Sequence, residues 1–153
     1  MGKEGRSCPF CELDRARVFH AGDLVVGLWD AFPVNPGHAL LVPRRHVATW
    51  FDATDEERAE LMAAVDVART TIEAEHEPDG YNIGINVGEA GGQTVGHLHV
   101  HVIPRYAGDV EDPRGGVRWV VPGKAAYWEG DTEGDTGGDT GGDTGGDRND
   151  DEP

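Results

Sequence analysis

Three histidines alternate with apolar residues in the stretch His97-Leu98-His99-Val100-His101-Val102-Ile103. Successive side chains of a β-strand point to opposite faces of the sheet, so this alternation predicts a strand over 97–104. The three imidazoles would then share one face of that strand. Leu98, Val100 and Val102 would pack into a core on the other face.

Three imidazoles on one face offer a nucleophile, a proton donor and a metal ligand near neutral pH. A neutral imidazole can attack phosphorus and form a covalent intermediate. The competing chemistry is a catalytic zinc held by three histidines. Positions i, i+2 and i+4 of one strand spread their Cα atoms over roughly 13 Å, so all three rings reach one metal only if the strand is distorted. The spacing therefore favours the nucleophile.

The elements around this stretch predict one α/β (α+β) domain. Further strands are predicted at 24–29, 39–42, 81–87 and 117–121, between turn residues. Thr54 and Glu57 form a capping box at the start of a helix that ends before Pro78. An apolar stripe at helical spacing follows the box: Leu61, Ala64, Val65, Ala68 and Ile72. We expect a mainly antiparallel sheet of about five strands, one long helix and a short helix or turn.

Composition divides the chain into a domain at 1–128 and a tail at 129–153. The 153 residues carry a net charge of −16, and the tail, with ten acidic residues and one basic residue, contributes −9 of it. Its repeat GDTGGDTGGDTGGD at 134–147 has nothing apolar to bury and predicts disorder; a calcium repeat is the less favoured alternative. We expect no nucleic-acid or membrane partner for so acidic a chain. Without a signal peptide or an apolar span, and with two cysteines, a cytoplasmic protein is expected.

The stretch GGQTVGHLHVHVIPRYAGD at 91–109 resembles the signature of the histidine triad (HIT) superfamily, and FPVNPGHALLVPRRHV at 32–47 resembles its conserved N-terminal segment. The similarity is to the branch with fragile-histidine-triad-like dinucleoside polyphosphate hydrolases and their bacterial relatives. It implies a HIT-like fold, a homodimer and a nucleotide substrate. The implied reaction cleaves a nucleotide phosphoanhydride through a nucleotidyl-histidine, which water or phosphate then attacks. The alternatives are an adenosine phosphoramidate or acyl-adenylate hydrolase and a nucleotide-binding module with incidental turnover.

The resemblance also implies a role for each matching residue. His99 would be the nucleophile, His101 would contact the phosphate and help to protonate the leaving group, and His38 would join the phosphate site. Asp30 would hold the ribose hydroxyls. The phosphates would be contacted at Asn86, Gly92, Gln93 and Thr94. Some relatives that cleave dinucleotides carry Gln in place of Asn86, which leaves the substrate preference open.

The sequence Cys8-Pro9-Phe10-Cys11 has two interpretations. A redox pair should follow a strand and open a helix, and no strand is predicted before this motif. The other interpretation is half of a tetrahedral zinc site. The resemblance completes it with His46 and with His97, the first histidine of the triad. We therefore expect a structural zinc and no organic cofactor.

Overall fold

The computed structural model describes residues 7–132. Its centre is a five-stranded antiparallel sheet in the order β1-β2-β3-β5-β4, with one α-helix between β3 and β4. The strands are β1 Val18–Ala21, β2 Val25–Trp29, β3 Ala39–Pro43, β4 Gly80–Gly84 and β5 Val100–Arg105, and the helix is α1 Asp55–Glu73. The predicted fold class is confirmed. From residue 133 onward the predicted tail lies outside the described residues.

Helix α1 begins at the capping box that the sequence predicts. The Thr54 hydroxyl accepts the Glu57 N–H at 3.1 Å, and the Glu57 carboxylate accepts the Thr54 N–H at 2.9 Å. The apolar stripe of the helix lies on one face of the sheet and forms a core with residues of β2, β3 and β5. That core includes Leu61, Ala64, Ala68, Ile72, Val25, Leu41, Val100 and Val102. Burial of this stripe stabilises the helix, because most of the stability of a helix in a protein comes from packing of its apolar face.

The opposite face of the sheet carries a second, smaller core. Val26, Leu28, Leu40 and Val42 are buried there together with Phe10 from the N-terminal segment. Leu40 of β3 pairs with His101 of β5. Residues directly opposite each other in an antiparallel pair project to the same face. His101 therefore lies on the face away from α1.

Two of the predicted strands differ from the structure by three residues at one end. The strand predicted at 81–87 runs over Gly80–Gly84, and the strand predicted at 97–104 begins three residues later, at Val100. His97 and His99 thus precede the strand, and only His101 lies within it. In this segment the Leu98 N–H bonds to the Val47 carbonyl at 2.7 Å, outside the ladder of the sheet.

One strand of the sheet, β1, was not predicted. The structure places it at Val18–Ala21, a short segment without an alternating pattern, and residues 116–120 form a 3-10 helix where a strand was predicted at 117–121. Val117, Val120 and Val121 are spaced i, i+3, i+4, which is a helical interval. The β propensity of valine misled that prediction, because the spacing does not alternate.

Within the described part of the chain, residues 118–132 belong to a compact unit of their own. Within it the Arg118 guanidinium donates to the carbonyl oxygens of Lys124 and Ala125, and it lies 5.0 Å from the ring centroid of Tyr127. A 3-10 segment over Tyr127–Thr132 includes the first residues of the predicted tail. None of the helices in the described part of the chain has the length and apolarity that crossing a membrane requires.

Glu57 ties the start of α1 to the end of β3. Its carboxylate is buried and accepts two hydrogen bonds from the Arg45 guanidinium, both 2.9 Å long. These bonds lower the pKa of Glu57, so the carboxylate is charged at neutral pH. Arg45 precedes His46 in the chain, so this ion pair also fixes the backbone on which His46 is carried.

We expect Glu57→Gln to lower the free energy of unfolding by about 2 kcal/mol, because the Arg45 guanidinium loses its charged partner. Urea unfolding measures the effect. Glu56→Gln is the matched control, since Glu56 is exposed on the same turn of the helix. Equal unfolding midpoints for the two variants would contradict the role assigned to Glu57.

Candidate functional site

The pairing of β3 with β5 brings two histidines from distant parts of the chain together. His38 comes directly before β3, and its Nε2 lies 3.0 Å from Nδ1 of His101. Gly37, with φ 84°, makes the turn into β3; a side chain there would meet Ile72, His76 and Pro104 at 3.0–3.3 Å. The preceding loop is fastened by Asn35, whose side-chain amide donates to the Pro104 carbonyl and to Asp109.

The backbone determines which ring nitrogen of His38 carries the proton. The Val34 N–H donates to Nδ1 of His38 at 3.1 Å, so Nδ1 holds a lone pair. In the neutral ring the proton is then on Nε2, which donates to Nδ1 of His101. Neutral His101 consequently carries its own proton on Nε2. Among the described residues no hydrogen bond engages that Nε2–H, so it is available to a ligand.

His99 is fixed in the complementary way. Its Nδ1 lies 2.8 Å from the His97 carbonyl oxygen, which can only accept, so Nδ1 carries the proton. The neutral ring then has its lone pair on Nε2, and no hydrogen bond within residues 7–132 occupies that atom. The ring is 6% exposed, and its centroid lies 5.0 Å from that of His101. His99 therefore has a free lone pair on Nε2, and its ring lies next to that of His101.

Burial keeps the neighbours of His99 uncharged. It lowers the pKa of His101 to about 4, with further lowering from His99 and His38. Burial also lowers the pKa of His38, and the Asp30 carboxylate opposes that shift. The carboxylate oxygen of Asp30 lies 3.4 Å from Nε2 of His38, and its other oxygen accepts the Phe32 N–H. Asp30 thus lies beside His38 and His101, with its carboxylate only slightly exposed.

His97 belongs to a separate cluster. Its Nε2 donates to the Pro43 carbonyl at 2.8 Å, which leaves a lone pair on Nδ1. That nitrogen lies 3.4 Å from Sγ of Cys8 and 3.7 Å from Sγ of Cys11, while Nδ1 of His46 lies 3.2 Å from Sγ of Cys11. The four ligand atoms all lie within 4.8 Å of one another. The four residues predicted to hold zinc are therefore together.

The donor set of this cluster fits a tetrahedral zinc ion. Two thiolates and two imidazoles are a common zinc ligand set, and a metal-binding histidine usually donates its other N–H to a carbonyl or carboxylate, as His97 does. Asp30, His38 and His101 also lie within 4.8 Å of one another, but they fit a metal poorly. Because Nδ1 of His38 accepts the Val34 N–H, a metal on its Nε2 would require the imidazolate.

The predicted phosphate loop is braced from within. The side-chain amide of Gln93 donates to the Ala48 and Val95 carbonyls and accepts the Gly88 N–H, so all of its bonds go to backbone. The backbone N–H of Gly92, which has φ 87°, bonds to the Glu89 carbonyl. Asn86 is half-buried, and within the described residues its side chain has no hydrogen-bond partner. Its amide is therefore open to a ligand.

Thr94 lines a cavity of about 670 Å³ next to the metal cluster, together with Cys8, Pro9 and His46.

The sequence analysis missed Phe10, the aromatic neighbour of His97 and His99. Its position between two cysteines is the only signal of it in the sequence. The sequence analysis also could not identify the backbone groups of Val34, Pro43 and His97 that set the histidine tautomers.

Comparison with known proteins identifies the family. Residues 13–108 match the HIT domain. The chain belongs to the HIT family. It is 43% identical over 107 residues to the AP-4-A phosphorylase of Mycobacterium tuberculosis, a match that covers 66% of this chain and 55% of the relative. It is 36% identical over 97 residues to an asymmetrical bis(5'-nucleosyl)-tetraphosphatase of Schizosaccharomyces pombe, covering 63% and 53% of the two chains.

A solved structure agrees with this HIT assignment. The crystal structure of a HIT family protein from Bacillus anthracis superposes with a TM-score of 0.63 at 32% identity, and it covers 68% of this chain and 77% of that one. The chain spans about half the length of the two curated relatives named above.

The low pKa of His101 predicts a loss of stability in mild acid. An unfolded histidine has a pKa near 6.5, so between about pH 6.5 and 4 the unfolded chain binds a proton that the folded chain refuses. The free energy of unfolding should therefore fall as the pH is lowered through this range. We expect a shallower fall in His101→Gln, measured by urea unfolding at pH 7, 6, 5 and 4.5. Equal pH dependence in the two proteins would contradict the shift, since both proteins carry the same carboxylates.

Proposed function

We propose that this chain is a nucleotide hydrolase or transferase that cleaves a phosphoanhydride of the diadenosine polyphosphate type through His99. The observation that carries the proposal is the hydrogen bond from Nδ1 of His99 to the His97 carbonyl. It leaves the lone pair on Nε2 in a ring whose remaining neighbours are other rings. The names of the two relatives, a phosphorylase and a hydrolase of dinucleoside tetraphosphates, support this substrate class.

In the first step Nε2 of His99 attacks a phosphorus atom of the polyphosphate. The nitrogen–phosphorus bond forms, the bond from phosphorus to the bridging oxygen breaks, and the electron pair leaves with the second nucleotide. The ring of His99 becomes positively charged, and the His97 carbonyl stabilises that charge through the proton on Nδ1.

His101 stabilises the leaving oxygen with its Nε2–H. A nucleoside polyphosphate leaves as a stable anion, so a hydrogen bond suffices and no proton needs to be transferred. His101, whose pKa burial lowers to about 4, is neutral at pH 7 and donates its Nε2–H as a hydrogen bond.

In the second step water or inorganic phosphate attacks the nucleotidyl-histidine. The nitrogen–phosphorus bond breaks, and its electron pair returns to Nε2 of His99. Water gives a nucleoside monophosphate and releases a proton to solvent, whereas phosphate gives a nucleoside diphosphate. Asp30, Asn86, Gly92, Gln93 and Thr94 are proposed to hold the nucleotide. For Asn86 the support is its unpartnered amide, and for Asp30 its place beside His38.

Product analysis tests the function. Wild type and His99→Ala are incubated with diadenosine tetraphosphate, diadenosine triphosphate and adenosine phosphoramidate, with and without inorganic phosphate. We expect the wild type to cleave a dinucleotide. The turnover rate of the variant should be lower than that of the wild type by a factor of roughly a thousand or more. A diphosphate product that appears only with added phosphate identifies a phosphorylase. His20→Ala is the matched control, since His20 lies in β1 outside the site.

A quenched reaction tests the covalent step. Wild type mixed with substrate should gain the mass of one nucleotidyl group, and His99→Ala should not. Turnover retained in His99→Ala would contradict the nucleophile, and cleavage of the phosphoramidate alone would move the protein to the second substrate class. If none of the substrates were cleaved, the hypothesis of a nucleotide-binding module would replace that of an enzyme.

We further propose that Cys8, Cys11, His46 and His97 hold a structural zinc ion. The cysteines lie in a turn, where the Cys11 N–H bonds to the Cys8 carbonyl, and not at the start of a helix as a redox pair would. An ion there would join the N-terminal segment to the end of β3 and the start of β5.

We also propose that two copies of the chain form a homodimer. An exposed sheet edge supports this, since β4 is an edge strand and exposes 45% of Ile83.

Replacing both cysteines with serine should remove the bound zinc and lower the melting temperature by roughly 5 °C or more. Metal analysis and thermal unfolding measure the two effects. Ser7→Ala, in the same segment, is the control that should keep its zinc. Unchanged metal content in the double variant would contradict the site.

A further inference from the structure

Phe10 links the metal cluster to the proposed nucleophile. It lies between Cys8 and Cys11, and only 8% of it is exposed. Its ring centroid is 5.1 Å from that of His99 and 5.7 Å from that of His97, which it meets edge-on. One aromatic ring thus contacts both a proposed metal ligand and the proposed nucleophile.

The other contacts of His99 lead back to the same segment. Within the described residues, the ring of His99 meets the His97 carbonyl, the Phe10 ring and the His101 ring. His97 thus serves twice, because its Nδ1 faces the two sulfur atoms while its carbonyl holds Nδ1 of His99. Two of these hydrogen-bond and ring contacts therefore come from residues at the cluster.

We propose that Phe10 is a positioning residue for His99, and that a metal ion in the cluster acts on turnover through Phe10 and the His97 carbonyl. An ion bound by Cys8 and Cys11 fixes the turn that carries Phe10. The same ion, bound by His97, fixes the carbonyl that sets the tautomer of His99. The ion itself takes no part in the reaction. This inference rests on the proposed role of His99 as the nucleophile.

The packing of Phe10 matters because one hydrogen bond does not hold an imidazole ring still. With Nδ1 bonded to a carbonyl, the ring can still tilt about that bond and move Nε2 away from phosphorus. A tightly packed neighbour removes this freedom, and a misplacement of about 1 Å at a reacting atom can cost a hundredfold in rate. Loss of Phe10 should therefore lower kcat and leave substrate binding nearly unchanged.

Kinetics with diadenosine tetraphosphate test the positioning role. Phe10→Leu keeps an apolar side chain of similar size and should lower kcat roughly ten- to a hundredfold with KM nearly unchanged. Phe10→Tyr keeps the ring and should restore most of kcat. Phe19→Leu is the matched control, because Phe19 packs against Trp29 in the core under α1, on the face of the sheet opposite to His101. A raised KM with unchanged kcat, or a kcat in Phe10→Leu equal to that of the control, would overturn the proposal.

Imidazole nitrogen NMR tests the coupling without turnover. In the zinc-loaded wild type we expect His99 to populate the tautomer protonated on Nδ1. In the chelated protein, and in zinc-loaded Phe10→Leu, the His99 signals should shift toward an average of the two tautomers. His99 signals that stay the same after metal removal and in Phe10→Leu would overturn the proposal.

Circular dichroism of each sample confirms that the fold is kept. The NMR result is independent of the reaction, so it still decides the coupling if His99→Ala retains turnover. In that case the proposed function fails, and the link between Phe10 and His99 is judged by its spectra alone.

Discussion

The antiparallel ladder between β3 and β5 is the interaction on which both clusters depend. It joins residues 39–41 to residues 100–102, which are about sixty positions apart in the chain. The start of β3 places His38 against His101, and the end of β3 places the Pro43 carbonyl against the ring of His97. One long-range strand pair therefore assembles the proposed catalytic histidines and half of the metal cluster. A shift of register by one residue would separate both sets.

Backbone groups then give these chemically identical side chains different roles. The Pro43 carbonyl accepts a hydrogen bond from Nε2 of His97, and the His97 carbonyl accepts one from Nδ1 of His99. Nδ1 of His38 accepts the Val34 N–H. The lone pair of His97 therefore faces the sulfur atoms, and that of His99 is free. His38 donates its Nε2–H to His101. Main-chain geometry, which moves little, thus sets the chemistry of side chains that could each adopt either tautomer.

The two faces of the sheet have different roles: one packs against the helix, and the other carries the proposed catalytic histidine of β5. Helix α1 covers one face with its apolar stripe, while His101 and the smaller core around Phe10 lie on the other. The Glu57–Arg45 ion pair connects the helix to the segment that carries His46. Burial of the helix therefore also supports the segment after β3, which carries one residue of the metal cluster, His46.

The sequence by itself determined the alternating histidine pattern, the capping box of α1, its buried stripe and four of the five strands, because these depend on local spacing and on hydrogen bonds between near neighbours. It also supplied the four residues of the metal cluster, through a resemblance that spacing alone could not replace. It did not locate β1, which has no alternating pattern, and it placed a strand at 117–121 on valine content. The resemblance had grouped His97 with the cysteines, but only the tertiary structure showed how its ring is held there, that the rings of His99 and His101 lie side by side, and that Phe10 contacts both His97 and His99. Those outcomes depend on carbonyls and rings brought together by pairing between distant strands, and no local pattern encodes them.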